Sequence, residues 1–172
     1  MRRTRFDTAP CPIARTTDLM GDSWTPMVLR EIAYGMRRFE QIQERLDCSR
    51  ATLTERLTRL VDEELLDKSA YQSNPPRYEY SLTPKGLAFF DVLAAMWRFG
   101  EDWLFPANEK HPAGASIEMI NAETGTVINA QVVDATTGKS INLATLKVRR
   151  KRRLDSETPA SSASLAKTEA AD

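Results

Sequence analysis

Apolar residues recur at helical spacing through the first hundred positions and then give way to short alternating runs. The chain therefore divides into a helical part and a β-like part. Ile13 to Leu19 predicts a first helix, broken by Gly21. Trp24, Val28, Leu29 and Ile32 give a second helix its buried face, with Asp22 or Ser23 as cap, Pro26 in the first turn and Gly35 past the end. Phe39, Ile42 and Leu46 define a third helix over about 38–46. Ser49 is the cap candidate for a fourth, from about Arg50 to Glu63, whose Leu53, Leu57 and Leu60 form one stripe. At 3.6 residues per turn, Ala51, Thr52, Thr54, Glu55, Thr58, Arg59 and Asp62 lie on the opposite side, flanked by Arg50 and Arg56.

Behind that helix, Leu65–Tyr71 and Tyr78–Leu82 read as strands joined through Ser73, Asn74, Pro75 and Pro76, a hairpin with a stiff tip. Thr83 and Pro84 then start another helix, whose Leu87, Phe90, Leu93, Ala94 and Trp97 carry an apolar face to about Trp103. A helix this apolar needs a partner surface. Beyond Pro106, Ile120-Asn-Ala-Glu-Thr-Gly125 returns thirteen residues later as Val133-Asp-Ala-Thr-Thr-Gly138, which predicts two linked hairpins. From about Asp155 the Ser-, Ala- and Glu-rich composition predicts a disordered tail. The expected fold class is α+β and mainly helical. The expected layout is an N-terminal arm over 1–10, a main domain over 11–105, a small β appendage over 106–153 and a tail over 154–172.

A chain of 172 residues holds one ordinary domain plus an appendage. Its net charge of zero hides local basic surface: residues 147–153 carry six basic groups, Lys147, Arg149, Arg150, Lys151, Arg152 and Arg153, and no acid. That run would serve as a backbone-embracing arm, as a steering charge, or as a solubilising end. No stretch approaches the roughly 20 apolar residues that span a bilayer, and Arg2, Arg3 and Arg5 precede no apolar run, so the expectation is a cytosolic protein without membrane partners. Cys11 and Cys48 are read as thiols, because two ligands cannot make a structural zinc site. His111 has no partner nucleophile or base that spacing can identify, and no phosphate-cradling glycine loop exists, so neither an enzyme nor a cofactor is expected.

The order helix, ribbon, helix points to DNA. In helix-turn-helix units the N-terminal part of the second helix meets the bases, which nominates Arg50, Thr54 and Glu55, with Thr58 and Arg59 one turn on. Arginine suits guanine, glutamate accepts from cytosine, and threonine meets a thymine methyl. Arg37, Arg38 and Arg56 are nominated for phosphates. Arg77, beside two prolines at the hairpin tip, is set to reach a minor groove or its phosphates, and Lys85 lies near a helix N-terminus. A solvated amphipathic helix would look the same taken alone; the hairpin behind it favours DNA.

These residues resemble a known family. Cys11-Pro12, Gly21-Asp22-Ser23-Trp24-Thr25, Arg37-Arg38-Phe39, Leu53-Thr54-Glu55-Arg56-Leu57 and Pro75 through Thr83 (Pro-Pro-Arg-Tyr-Glu-Tyr-Ser-Leu-Thr) are similar to the HxlR-type winged helix-turn-helix transcriptional regulators, relatives of the MarR regulators, over residues 10–105. The resemblance implies a cytoplasmic, nucleoid-associated homodimer on a pseudo-palindromic double-stranded operator. Its first and last helices would form the dimer interface, and a small-molecule effector is an open option. Glu64 departs from the pattern, since family members usually carry glycine there to ease a left-handed C-cap; the turn into the first strand is expected to differ. In several relatives a cysteine matching Cys11 senses oxidants or electrophiles. The other reading is a small packing residue, which is favoured for Cys48. The competing function is a winged-helix module for protein contacts without DNA binding.

Overall fold

The computed structural model describes residues 5–104, 118–141 and 146–147; the predicted tail, the basic residues after Lys147 and His111 lie outside them. Helix α1 (Pro12–Met20) has proline at its first position and ends on Gly21, left-handed at φ 60°, whose N–H donates to the Thr17 carbonyl. Asp22 caps α2 (Trp24–Ala33), its Oδ1 accepting from the N–H of Trp24 at 2.7 Å and of Thr25 at 3.1 Å. α3 (Phe39–Leu46) ends at Asp47, left-handed at φ 48°. Ser49 caps α4 (Arg50–Asp62), its hydroxyl accepting from the Thr52 N–H at 3.1 Å.

Three leucines of α4 hold these helices together. Leu53, Leu57 and Leu60 are each 1% exposed and share a cluster with Val28, Leu29 and Ile32 of α2 and with Ile42 and Leu46 of α3. Burial of such a side chain is worth about 1.5–3 kcal/mol. Cys48 is buried in the same cluster, in keeping with its packing role.

Antiparallel strands β1 (Leu66–Ser73) and β2 (Pro76–Leu82) run in register from Leu66 opposite Leu82 to Ser73 opposite Pro76. They reach further toward the tip than the sequence pattern suggested, leaving only Asn74 and Pro75, joined by a cis peptide, as connection. Pro76 is the first residue of its strand, a place where its missing N–H is tolerated. Tyr71 has no opposite residue, and this bulge breaks the alternation between Ala70 and Gln72.

The single helix expected from Thr83 to Trp103 is instead α5 (Pro84–Ala88) and α6 (Phe90–Phe99), followed by one π-helical turn at Gly100–Leu104. Phe89 causes the break. Its ring is drawn into the core at 6% exposure, and the Val92 N–H reaches back only three residues to the Phe89 carbonyl, tightening the turn.

The end of α4 and the start of α5 interlock. The Leu65 N–H donates to the Leu60 carbonyl and the Glu64 N–H to the Val61 carbonyl, a Schellman closure with Glu64 left-handed at φ 57°. The turn thus keeps the geometry a glycine would have eased, contrary to the expectation that it would differ. Thr83 Oγ1 donates to the Glu64 carbonyl at 2.7 Å and accepts from the Gly86 N–H at 3.0 Å. Gly86 lies so close that a Cβ there would collide with the Leu65 carbonyl oxygen.

Packing divides the chain into two compact units between Gln131 and Val132. The first contains a small hairpin in which Ile120 bridges Val127, with Asn121 Oδ1 accepting from the Glu123 N–H at 2.8 Å and Gly125 at φ 68°. The second contains its counterpart, in which Val133 bridges Ser140 and Gly138 stands at φ 66°. There the N–H groups of Thr137 and Thr136 hold the Asp134 carboxyl below the usual carboxylate range. Among the described residues no helix is long and apolar enough to cross a membrane.

Two substitutions probe the α4–α5 junction. Gly86→Ala is expected to cost about 1–3 kcal/mol, because the colliding atom is backbone and cannot swing away; urea unfolding measures it. Glu64→Gly should raise stability by up to about 1 kcal/mol, since relief of a left-handed Cβ exceeds the added backbone freedom of glycine. A higher urea midpoint would show it.

Candidate nucleic-acid interface

With its leucines turned inward, α4 presents Arg50, Thr54, Glu55 and Thr58 as exposed residues. The Thr54 hydroxyl donates to the Arg50 carbonyl at 2.8 Å, so its remaining outward chemistry is the methyl group. The Arg50 guanidinium sits 4.7 Å from the centre of the Phe39 ring, a cation–π contact that holds it across the start of α3. Glu55 is 68% exposed, with Oε1 3.1 Å from Arg56 Nη2.

A cleft of about 330 Å³ opens between the start of α3, the start of α4 and the hairpin tip; Phe39, Arg50, Tyr71, Arg77, Tyr78 and Tyr80 are among its walls. Two arginines distant in sequence are brought to one opening lined with aromatic rings. Such a set can pair with phosphate through guanidinium forks and pack flat surfaces against sugar or base.

The hairpin is fastened to the reading unit by the residues before α3. Arg38 forms a bridge with Glu79 of β2, its Nε 3.0 Å from Glu79 Oε1 and its guanidinium 4.5 Å from the centre of the bulged Tyr71 ring. Hydrogen bonding to Glu79 raises the Arg38 pKa above its ordinary value. The Tyr80 N–H donates to the Arg37 carbonyl at 2.8 Å, while the Arg37 side chain is exposed. Burial raises the pKa of the Tyr80 phenol.

The other nominated cations also contact the protein. Arg56 is only 14% exposed and places Nη1 2.8 Å from Asp22 Oδ2. Arg59 Nη2 donates to the Asp18 carbonyl at 2.6 Å, and Lys85 Nζ donates to the Glu63 carbonyl at 2.6 Å, at the end of α4. Arg50 and Arg77 thus share one cleft, and Arg37 is exposed beside Tyr80, Ser81 and Leu82 at the strand end, whereas the side chains of Arg38, Arg56, Arg59 and Lys85 are bonded to other parts of the protein.

Sequence reading missed Glu31. It is 2% exposed in the midst of the α2 apolar face, bonded by Arg30 of the same helix and paired with Arg45 of α3 at 3.3 Å. Its place beside Val28 and Ile32 was a local signal; Arg45, on another helix, gave none. Cys11 stands at the N-cap of α1 and is exposed, and nearby Arg15 donates through Nε to the Ala9 carbonyl at 2.7 Å. Ile13, Leu87, Met96, Phe99, Trp103 and Leu104 are large exposed apolar residues, and α6 has no buried residue among its ten. An apolar groove of about 190 Å³ runs between α2 and α6, with Met27, Tyr34, Phe90, Trp97 and Met119 in its walls.

Helix α3, the turn, α4 and a hairpin bonded back to α3 together define a winged helix-turn-helix. The chain belongs to the HxlR-like helix-turn-helix family, whose model matches residues 19–108. It is 43% identical over 95 residues to sll1512, an uncharacterised HTH-type transcriptional regulator of Synechocystis, covering 55% of this chain and 70% of that one. An uncharacterised HTH-type regulator of Mycobacterium bovis is 32% identical over 129 residues, 75% of this chain and 78% of that one. Among solved structures, PA1607, described as a candidate transcription factor, superposes with a TM-score of 0.75 at 29% identity over 86% of this chain and 100% of that one. The redox regulator HypR in its reduced form gives a TM-score of 0.50 at 26% identity over 54% and 92%. The protein is a transcriptional regulator with a helix-turn-helix domain, not an enzyme.

Proposed function

We propose that the protein binds a pseudo-palindromic DNA operator as a homodimer in the cytoplasm, one winged helix per half-site, with residues 11–105 as the DNA-binding and dimerisation domain. The observation that carries this reading is the convergence of Arg50 and Arg77 on one cleft beside the exposed Thr54, Glu55 and Thr58. α4 enters the major groove, where Arg50 reads guanine, Glu55 accepts from cytosine and the Thr54 methyl meets thymine. Arg77 reaches the neighbouring minor groove or its phosphates, and Arg37 adds a phosphate contact. The exposed apolar residues of α1, α6 and the π turn support a partner copy, because a patch of this kind marks an interaction surface. The groove between α2 and α6 gives a small apolar effector room to enter.

Arg77→Ala tests the reading. Operator affinity should weaken and the slope of log K against log salt should fall by about one. A winged helix used only for protein contacts would have no salt-dependent DNA affinity to lose.

We further infer that Cys11 senses oxidants or electrophiles. An exposed thiol at the first turn of α1 is open to reagents, and the redox regulator HypR shares the fold. Operator binding measured before and after diamide or a quinone should change for the wild type and not for Cys11→Ser. Equal responses from the two proteins would remove Cys11 from the mechanism.

A further inference from the structure

Arg56 and Arg59 stand one turn apart on α4, and both run to the bend between α1 and α2. Each meets a helix end. Asp22, which caps α2, receives Arg56 Nη1 at 2.8 Å on the carboxylate that already accepts from the N–H groups of Trp24 and Thr25. Arg59 Nη2 donates at 2.6 Å to the Asp18 carbonyl in the last turn of α1, the end where a cation is favoured. The Asp18 carboxylate, 7% exposed, in turn lies 3.4 Å from Arg5 Nε and accepts from the Phe6 N–H at 3.3 Å. Residues 5–6, α1 and α4 therefore meet at Asp18, and Cys11 lies in the chain between two of these attachments.

We propose that Arg56 and Arg59 are positioning residues. They fasten α4 to the α1–α2 bend, set the angle at which Arg50, Thr54 and Glu55 face the groove, and make no phosphate contact of their own. The inference rests on the DNA-binding reading above. Arg56 has little freedom for another role: its Nε is buried without a partner, and swinging its guanidinium out would leave the Asp22 carboxylate without its ion pair. A displacement of α1 reaches α4 directly through these two side chains, so the N-terminal segment and the reading face are mechanically joined.

The experiment uses a duplex that the full-length protein selects from random DNA. Affinity is measured against salt for the wild type, Arg56→Gln, Arg59→Gln, Asp22→Asn and the double variant Asp22→Asn/Arg56→Gln. Arg77→Ala serves as the phosphate-contact comparison, and all are studied at a temperature where circular dichroism shows each to be folded. Each single substitution at positions 22, 56 and 59 is expected to weaken binding by about twofold to thirtyfold with the salt slope unchanged. The double variant should be no weaker than its worse parent, as befits one shared contact. A slope lowered by about one for Arg56→Gln or Arg59→Gln would overturn the proposal, because it reports a lost phosphate contact. Tighter binding by Asp22→Asn would overturn it too, since that is what releasing Arg56 toward DNA would do. Asp22→Asn removes no positive charge and carries the test if the arginine variants do not fold. A wild type with no salt-dependent affinity overturns the DNA-binding reading and this inference together, whereas a binding wild type with altered variant slopes overturns this inference alone.

Discussion

The fold depends on α4 burying one face while exposing the other. Leu53, Leu57 and Leu60, at helical spacing, are held by α2 and α3, and that burial fixes the rotation of the helix about its own axis. Once the rotation is set, every other side chain on α4 has a direction. Arg50, Thr54, Glu55 and Thr58 face outward, while Arg56 and Arg59 fall at the margin of the core, where the α1–α2 bend offers them a carboxylate and a carbonyl. The exposed polar face of α4 is therefore a consequence of the core.

The wing is attached to that core at two places. At its base, Leu65, Leu66 and Tyr80 are buried in the same cluster, and Thr83 and Lys85 donate to the Glu64 and Glu63 carbonyls just past α4. Nearer the tip, Arg38 is bonded to Glu79 and stacked over Tyr71, which a bulge has released from the regular alternation. The second attachment is exposed, where ion pairs and cation–π contacts are screened by water and hold weakly. The hairpin thus has a firm base and a lightly held tip.

Much of this was legible along the chain. The periodicity of Leu53, Leu57 and Leu60, the cap at Ser49, the proline start at Thr83-Pro84 and the turn residues around Asn74 are local signals; α4 and the hairpin begin and end within a few residues of their expected places, and α5 begins at its own. The pattern after Thr83 predicts a continuous helix because Phe89 is helix-compatible in isolation; its burial in a core built from distant residues leaves no local signal. For the same reason the sequence nominates Arg38, Arg56, Arg59 and Lys85 as DNA contacts without showing their partners in the protein. Their acceptors lie on other elements, and for Arg59 and Lys85 they are backbone carbonyls, which carry no residue signature.

The sequence by itself determined the helices through α4, the hairpin, and that α4 has one apolar and one polar face, because each follows from spacing and residue type within a short window; the family follows from motifs kept in order over residues 10–105. The tertiary structure alone decided which arginines have partners within the protein. Guanidinium groups look identical in sequence, and their surroundings are set by what the fold brings within reach: Asp22 and the Asp18 carbonyl for Arg56 and Arg59, an aromatic-lined cleft for Arg50 and Arg77. Side-chain reach is only a few ångströms, so a cation's partner is set by packing among distant segments and not by its neighbours in the chain.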